Sequence, residues 1–203
     1  MMKALAKVVL LVVSAVLPVV HAAQSPDLLV RETTDQVLGE LSANYDAMLA
    51  DQSLLYNMVD AIVLPHFDFE RMSKLVLGKY WKKVSDAQRE EFVEEFKALL
   101  VRTYATALFE YTDQEIVYKP YRAKEGAKRV LVKTAIVPSD GPKIPIDYAL
   151  SRGKDDAWRV YDIRIDEISM VTNYRSSYGK IIESRGMDSL IALLGRKRQA
   201  LSE

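Results

Sequence analysis

The chain contains no cysteine. Disulfides, thiolate metal sites and lipid attachment at an N-terminal cysteine are therefore excluded. Histidine is almost as scarce, with only His21 and His66. There is no HExxH, no Walker loop, no GxGxxG and no GxSxG. A serine nucleophile would have only His66 as its base, so a triad has little to stand on. His66 follows Pro65 and precedes Phe67, and reads as a helix-end or surface residue. Net charge is also missing: 28 basic residues balance 28 acidic ones, which gives no reason to expect a nucleic-acid partner. Low-complexity segments and internal repeats are absent.

No apolar run reaches the ~20 residues that a spanning helix needs. Residues 1–23 instead read as a cleaved secretory signal: Lys3 and Lys7, then Val8–Val20, then a small-residue cleavage site at Val20-His21-Ala22 or Ala23. Its removal leaves 26 basic against 28 acidic residues, a charge of −2. A secreted chain without disulfides must rely on its core, and the 49% apolar content is ample for one. The address expected is the periplasm, and residues 24–203 are expected to form a single domain.

The longest amphipathic stretch is Ser85–Tyr111. Ser85 and Gln88 form a capping box. Phe92, Phe96, Leu99, Leu100, Thr103, Ala107 and Leu108 then recur every three or four residues, a single helical stripe. Before it, Ser25-Pro26 opens a helix carrying Val30 through Met48, with Gly39 a weak point. Asp51 caps a second helix that ends at Pro65, and Asp68 a third that closes at Gly78.

The period changes after Tyr111. Ile116–Tyr118, Val130–Val137, Ile146–Leu150 and Trp158–Ile165 read as four strands, with a turn at Pro138–Pro142. The last has apolar residues on both faces, which predicts a central strand or a bulge near Asp162. Helices resume at about Ile168, break at Gly186 and continue from an Asp188 cap. The fold class is α+β: helices over 26–111, a curved, mainly antiparallel four-stranded sheet over 115–166, helices over 168–199. The Ser85 helix is expected to lie on the strands, with an apolar pocket between them.

Ten large rings support such a space: Phe67, Phe69, Tyr80, Trp81, Phe92, Phe96, Tyr104, Phe109, Tyr148 and Trp158 exceed what a two-layer core requires. The charge clusters Glu90–Glu95, Asp155–Asp156 and Arg196–Arg198 read as solvated faces. Among the carboxylates, Asp162 with Tyr148 or Tyr161 offers an alternative: a small-molecule enzyme of cone type, with a general base and an oxyanion partner. A third reading is an adaptor with an exposed apolar patch.

Three stretches resemble a known family: FDFERMSKLVLGKYW (67–81), SDAQREEFVEEFKALLVRTYATAL (85–108) and PIDYALSRGKDDAWRVYDIRIDEISMVTNYRSSYGKIIESRGMDSLIALL (145–194). They are similar to the MlaC family of periplasmic phospholipid carriers, also called toluene-tolerance proteins. Two departures stand out, Glu167 where the family usually has Gly and Tyr178 where it commonly has Phe. The resemblance implies a sheet portion like that of nuclear transport factor 2, an apolar pocket for acyl chains and no enzymatic activity. It also implies two partners, an inner-membrane ABC transporter complex with an MCE-domain ring and an outer-membrane lipoprotein–porin complex. No cofactor and a monomeric state are expected. On the carrier reading, the helical stripe and the strand alternation nominate the lining as Ile62, Phe67, Met72, Leu75, Tyr80, Trp81, Phe92, Phe96, Leu99, Leu100, Tyr104, Ile146, Tyr148, Leu150, Trp158 and Val160.

Overall fold

The structure is a computed structural model and describes residues 24–111 and 114–201. The signal segment expected at 1–23 lies outside the described residues.

The first helical group comprises α1 (Pro26–Ala43), α2 (Tyr45–Ala50) and α3 (Gln52–Ile62). The helix expected to continue through Met48 breaks at Asn44, not at Gly39. Asn44 leaves helical geometry at φ −124° and ψ 22°. Its side-chain amide donates to the Glu40 carbonyl at 3.2 Å, giving the backbone an alternative to the helical ladder. Asp51 caps α3 through the Ser53 N–H at 2.9 Å. A 3-10 turn, Leu64–His66, then leads to α4 (Phe69–Leu77), capped by Asp68 through the Arg71 N–H. Gly78 closes α4 at φ +52°, where a side chain would be strained.

In α5 (Asp86–Tyr104) both halves of the capping box form: Ser85 Oγ accepts from Gln88 N–H at 3.2 Å, and Gln88 Oε1 accepts from Ser85 N–H at 3.0 Å. The helix is shorter than its stripe suggests. Thr103 Oγ1 donates back to the Leu99 carbonyl at 2.7 Å, and the chain tightens into a 3-10 segment over Thr106–Tyr111.

Five strands follow in the order β1 (Glu115–Tyr118), β2 (Arg129–Val137), β3 (Ile144–Arg152), β4 (Trp158–Ile165) and β5 (Ile168–Ser169). Each pairs antiparallel with its chain neighbour, so the sheet is a meander. The expectation of four strands misses β5. Asp166 and Glu167 take successive left-handed conformations, φ 48° and 66°, and this two-residue turn folds the chain back onto β4. The bulge in β4 is present: Ala149 pairs with Asp162 and Leu150 with Val160, leaving Tyr161 unpaired. It puts Trp158, Val160, Ile163 and Ile165 on one face, and thereby accounts for the apolar character on both sides of the strand.

The chain closes with α6 (Met170–Arg185) and α7 (Met187–Ala200), joined at Gly186. The α5 helix does not lie on the sheet, contrary to expectation. It packs chiefly on α7, while α1, α4 and α6 meet the strands. Gln88 donates to Asp188 at 2.6 Å and Arg198 Nε to Glu95 at 2.9 Å along the α5–α7 seam. Phe92 and Phe96 stack at 5.5 Å and meet the Tyr178 ring edge-on.

Both departures from the family pattern carry a cost that the structure identifies. A non-glycine residue in the left-handed region costs about 1–2 kcal/mol, partly offset by glycine's greater unfolded-chain entropy. Glu167→Gly should therefore stabilise by about 0.5–1 kcal/mol, seen as a higher midpoint in urea. The Tyr178 hydroxyl is buried without a hydrogen-bond partner, and burial pushes its pKa well up. Tyr178→Phe removes this orphan and should raise stability by about 1 kcal/mol in the same assay.

Candidate functional site

The inner face of the sheet is almost wholly apolar. The ladder register places Tyr118 opposite Thr134, Thr134 opposite Ile146, Val132 opposite Tyr148, and Tyr148 opposite Ile163. Val130, Leu150, Val160 and Trp158 continue the same face. Its polar members include Thr134, whose hydroxyl donates to the Ile146 carbonyl at 2.8 Å, and Arg152 at the margin, which pairs with Trp158 and lies 5.9 Å from its ring.

The protein's own side chains cover this face unevenly. Val132, Leu150 and Val160 are buried against Leu29 and Val30 of α1. Ile146, Tyr148, Trp158, Ile163 and Ile165 are only half-buried. A single domain usually builds one continuous core. Here the described residues form three: α4–α5–α6–α7, the α1–α2–α3 corner with the end of α5, and the sheet with the start of α1. The 62–69 segment connects them. Ile62, Val63 and Leu64 pack on the second core, Phe69 on the first, and Phe67 on both the first and the third. A bridge from Phe67 to Val160 and the Asp68 N–H to the Val160 carbonyl, 2.9 Å, tie its far end to β4. The candidate site is the junction beneath this segment.

Tyr148 lies on the sheet face between Val132 and Ile163. Burial pushes its hydroxyl up to about 12, with the neighbouring Tyr118 adding to the shift. Yet the residue keeps accessible surface. Tyr148 is thus enclosed by neighbouring atoms without being sealed from solvent. Tyr118 stands beside it with a buried, unpartnered hydroxyl and Arg31 stacked 3.9 Å above its ring.

The structure divides the sixteen nominated residues. Ile62, Phe67, Ile146, Tyr148, Leu150, Trp158 and Val160 are brought to the junction or the sheet face. Met72, Leu75, Trp81, Phe92, Phe96, Leu99 and Leu100 belong to the helical core, with Phe92 at 0% and Phe96 at 1% exposure. Tyr80 lies against α6 near Gly179. Tyr104, 38% exposed, holds its hydroxyl 3.5 Å from that of Tyr174. Tyr118, Val132 and Ile163 share this sheet face, and Leu29 and Val30 cover part of it, although none of the five was nominated from the sequence. The β2–β3 register would have found Val132, but Ile163 shares this face only because of the bulge.

The family model for MlaC protein matches residues 31–196. The chain belongs to the MlaC family. It is 30% identical over 181 residues to toluene tolerance protein ttg2D of Pseudomonas putida, covering 88% of this chain and 83% of that one. It is 28% identical to the intermembrane phospholipid transport system binding protein MlaC of Haemophilus influenzae, over 84% and 80% of the two chains. A phospholipid-binding protein from Ralstonia solanacearum, solved in complex with a phospholipid, superposes with a TM-score of 0.81 at 26% identity. The match covers 89% of this chain and all of that one. In this MlaC-family chain no helix among the described residues is long and apolar enough to cross a membrane.

The carboxylate nominated for catalysis has another task here. Asp162 Oδ1 accepts from the Val171 N–H at 3.0 Å, and Oδ2 from the Ser169 hydroxyl at 2.6 Å. Ser169 Oγ in turn caps Thr172 N–H at 3.0 Å. Asp162 thus anchors the N-terminus of α6, where the helix dipole favours a negative charge. It pairs with Ala149, the neighbour of Tyr148 on β3, so the sheet separates its carboxylate from the Tyr148 hydroxyl. The adjacent Tyr161 ring carries Arg71 at 4.4 Å. Among the described residues, the Asp162 carboxylate is held by Val171 and Ser169 and not by either tyrosine of the enzyme alternative.

His66 sits half-buried in the connecting segment, and burial lowers its pKa from 6.5, with the Arg159 charge assisting. Below that value the unfolded chain takes up the proton more readily, so the group favours unfolding as the medium becomes acid. Stability should be undiminished by this group above about pH 6.5 and should fall as the medium becomes more acid than that. His66→Gln should flatten that part of a urea-midpoint-against-pH curve.

Proposed function

We propose that this chain is a soluble periplasmic phospholipid carrier. It takes acyl chains into the junction between the 62–67 segment and the inner face of the sheet, with the phosphate near solvent. The observation that carries the reading is the apolar sheet face left half-covered where three separate cores meet. The family membership and the phospholipid held by the Ralstonia solanacearum structure support it. On this reading the lining comprises Ile62, Phe67, Tyr118, Ile146, Tyr148, Trp158 and Ile163. Met72, Leu75, Trp81, Phe92, Phe96, Leu99 and Leu100 form the packed wall behind it.

The energetics say what such a carrier can do. Burying ~30 methylenes at ~0.8 kcal/mol each is worth ~24 kcal/mol relative to water. That exceeds the practical affinity ceiling of ~18–21 kcal/mol. The relevant reference is therefore the bilayer, in which the chains are already dry. Exchange between bilayer and protein can be nearly isoenergetic, and escape into water slow. Direction must come from partners, for which the family likeness nominates an outer-membrane lipoprotein–porin complex and an inner-membrane ABC transporter with an MCE-domain ring. Traffic between them would maintain outer-membrane lipid asymmetry. The carrier itself is proposed to be a monomer without cofactor.

Native mass spectrometry of the purified protein should show a bound phospholipid. Tyr148→Glu should cut that occupancy roughly tenfold, because a charge in the acyl path costs at least ~1.4 kcal/mol. Phe96→Ala should instead cost about 3–5 kcal/mol of stability, as a core truncation. Protein recovered free of phospholipid from overproducing cells, or full occupancy in Tyr148→Glu, would overturn the assignment.

A further inference from the structure

We propose that the cleft between α6 and α7 docks the protein on the anionic phosphate headgroups of a bilayer. The proposal rests on the carrier reading and adds a place of contact to it. The cleft has a volume of about 440 Å³, and its lining includes Lys180, Arg185 and Arg196 together with Ser189, Ile181 and Leu193. No acidic residue lines it.

The absence of acid is built into the packing. Each of the two helices carries one acidic residue, and each of these is turned elsewhere. Glu183 of α6 pairs with Lys79 at 3.7 Å. Asp188 of α7 accepts from the Gln88 amide of α5 at 2.6 Å. The three cleft cations remain exposed, and no ion pair among the described residues neutralises them. A zero net charge thus conceals a strong separation. From Glu32 to Asp60 there are six acidic residues and no lysine or arginine. That stretch forms most of α1–α3, whose packing partners include α5 and β2. Acidic charge is thus concentrated on α1–α3 and basic charge at the α6–α7 cleft, and the cleft is the part that a negative surface attracts.

The shape favours a membrane surface over an enclosed metabolite. The cleft is open to solvent and sets cations beside the apolar side chains of Ile181 and Leu193, so phosphates can meet the cations while the first carbons beneath them meet the apolar side chains. Each cation near an anionic leaflet contributes a modest, salt-sensitive attraction. Three suffice for contact that is made and released, as a ferry requires.

Sedimentation with vesicles tests this directly. Full-length mature protein should bind phosphatidylcholine vesicles containing phosphatidylglycerol, fail to bind phosphatidylcholine alone, and be released by high salt. Lys180→Ala with Arg185→Ala and Arg196→Ala should lower binding roughly 100-fold, from about 1 kcal/mol per cation. A charge-matched control, Lys124→Ala with Lys128→Ala and Lys143→Ala, removes three exposed cations elsewhere and should retain binding. Equal loss in both triples, or no wild-type binding, would overturn the proposal. So would wild-type capture by polyglutamate or inorganic phosphate without vesicle binding. Native mass spectrometry runs alongside: the cleft triple should keep its phospholipid. Vesicle binding by a protein that never carries lipid would sink the carrier reading and leave the docking surface standing, whereas retained lipid without vesicle binding would do the reverse.

Discussion

A sheet that presents a mainly apolar face must have it covered, and here the covering is shared. Val132, Leu150 and Val160 are sealed by the start of α1, while Tyr148, Ile146 and Trp158 keep part of their surface. The rest of the architecture answers to this constraint. The bulge at Tyr161 keeps Ile163 and Ile165 on the same side as Val160, so the apolar face extends to the end of β4. The tether from Phe67 to Val160 brings one end of the helical layer down onto it. Beyond that tether the helices build cores of their own.

Asp162 shows how one residue can invite two readings. A carboxylate on a strand beside tyrosines is the composition of a general base. Its oxygens, however, are committed to Val171 and Ser169, at the start of α6. The same pairs fix where α6 leaves the sheet, and through α6 they fix Tyr174 and Tyr178 against Phe96. Its contribution to the site is thus one of position, made from the opposite face of the sheet.

Much of the fold could be read along the chain because its signals are local. Ser85–Gln88, Asp51 and Asp68 cap the helices they were assigned to. The bounds of β4 follow its aromatic and β-branched run from Trp158 to Ile165. What failed depended on distance. The stripe of Phe92, Phe96 and Leu99 says that α5 buries one face, but not what covers it, and α7 lies about a hundred residues further on. The β5 strand was hidden because Asp166 and Glu167 are not turn glycines, although they adopt a glycine-like conformation. The site was half-legible for the same reason. Alternation in β3 gave Ile146, Tyr148 and Leu150, whereas Tyr118 and Val132 join them only through pairing register.

The meander also bears on how the chain reaches its native state. Every strand pairs with its sequence neighbour, so the sheet can zip from one hairpin to the next while closing only short loops. The α5–α7 seam is the opposite case, since Gln88 and Asp188 are separated by 100 residues and Glu95 and Arg198 by 103. That seam closes a far longer loop than any hairpin of the sheet and carries the larger closure entropy. With no cysteine to oxidise, ordering along this route is left to packing alone.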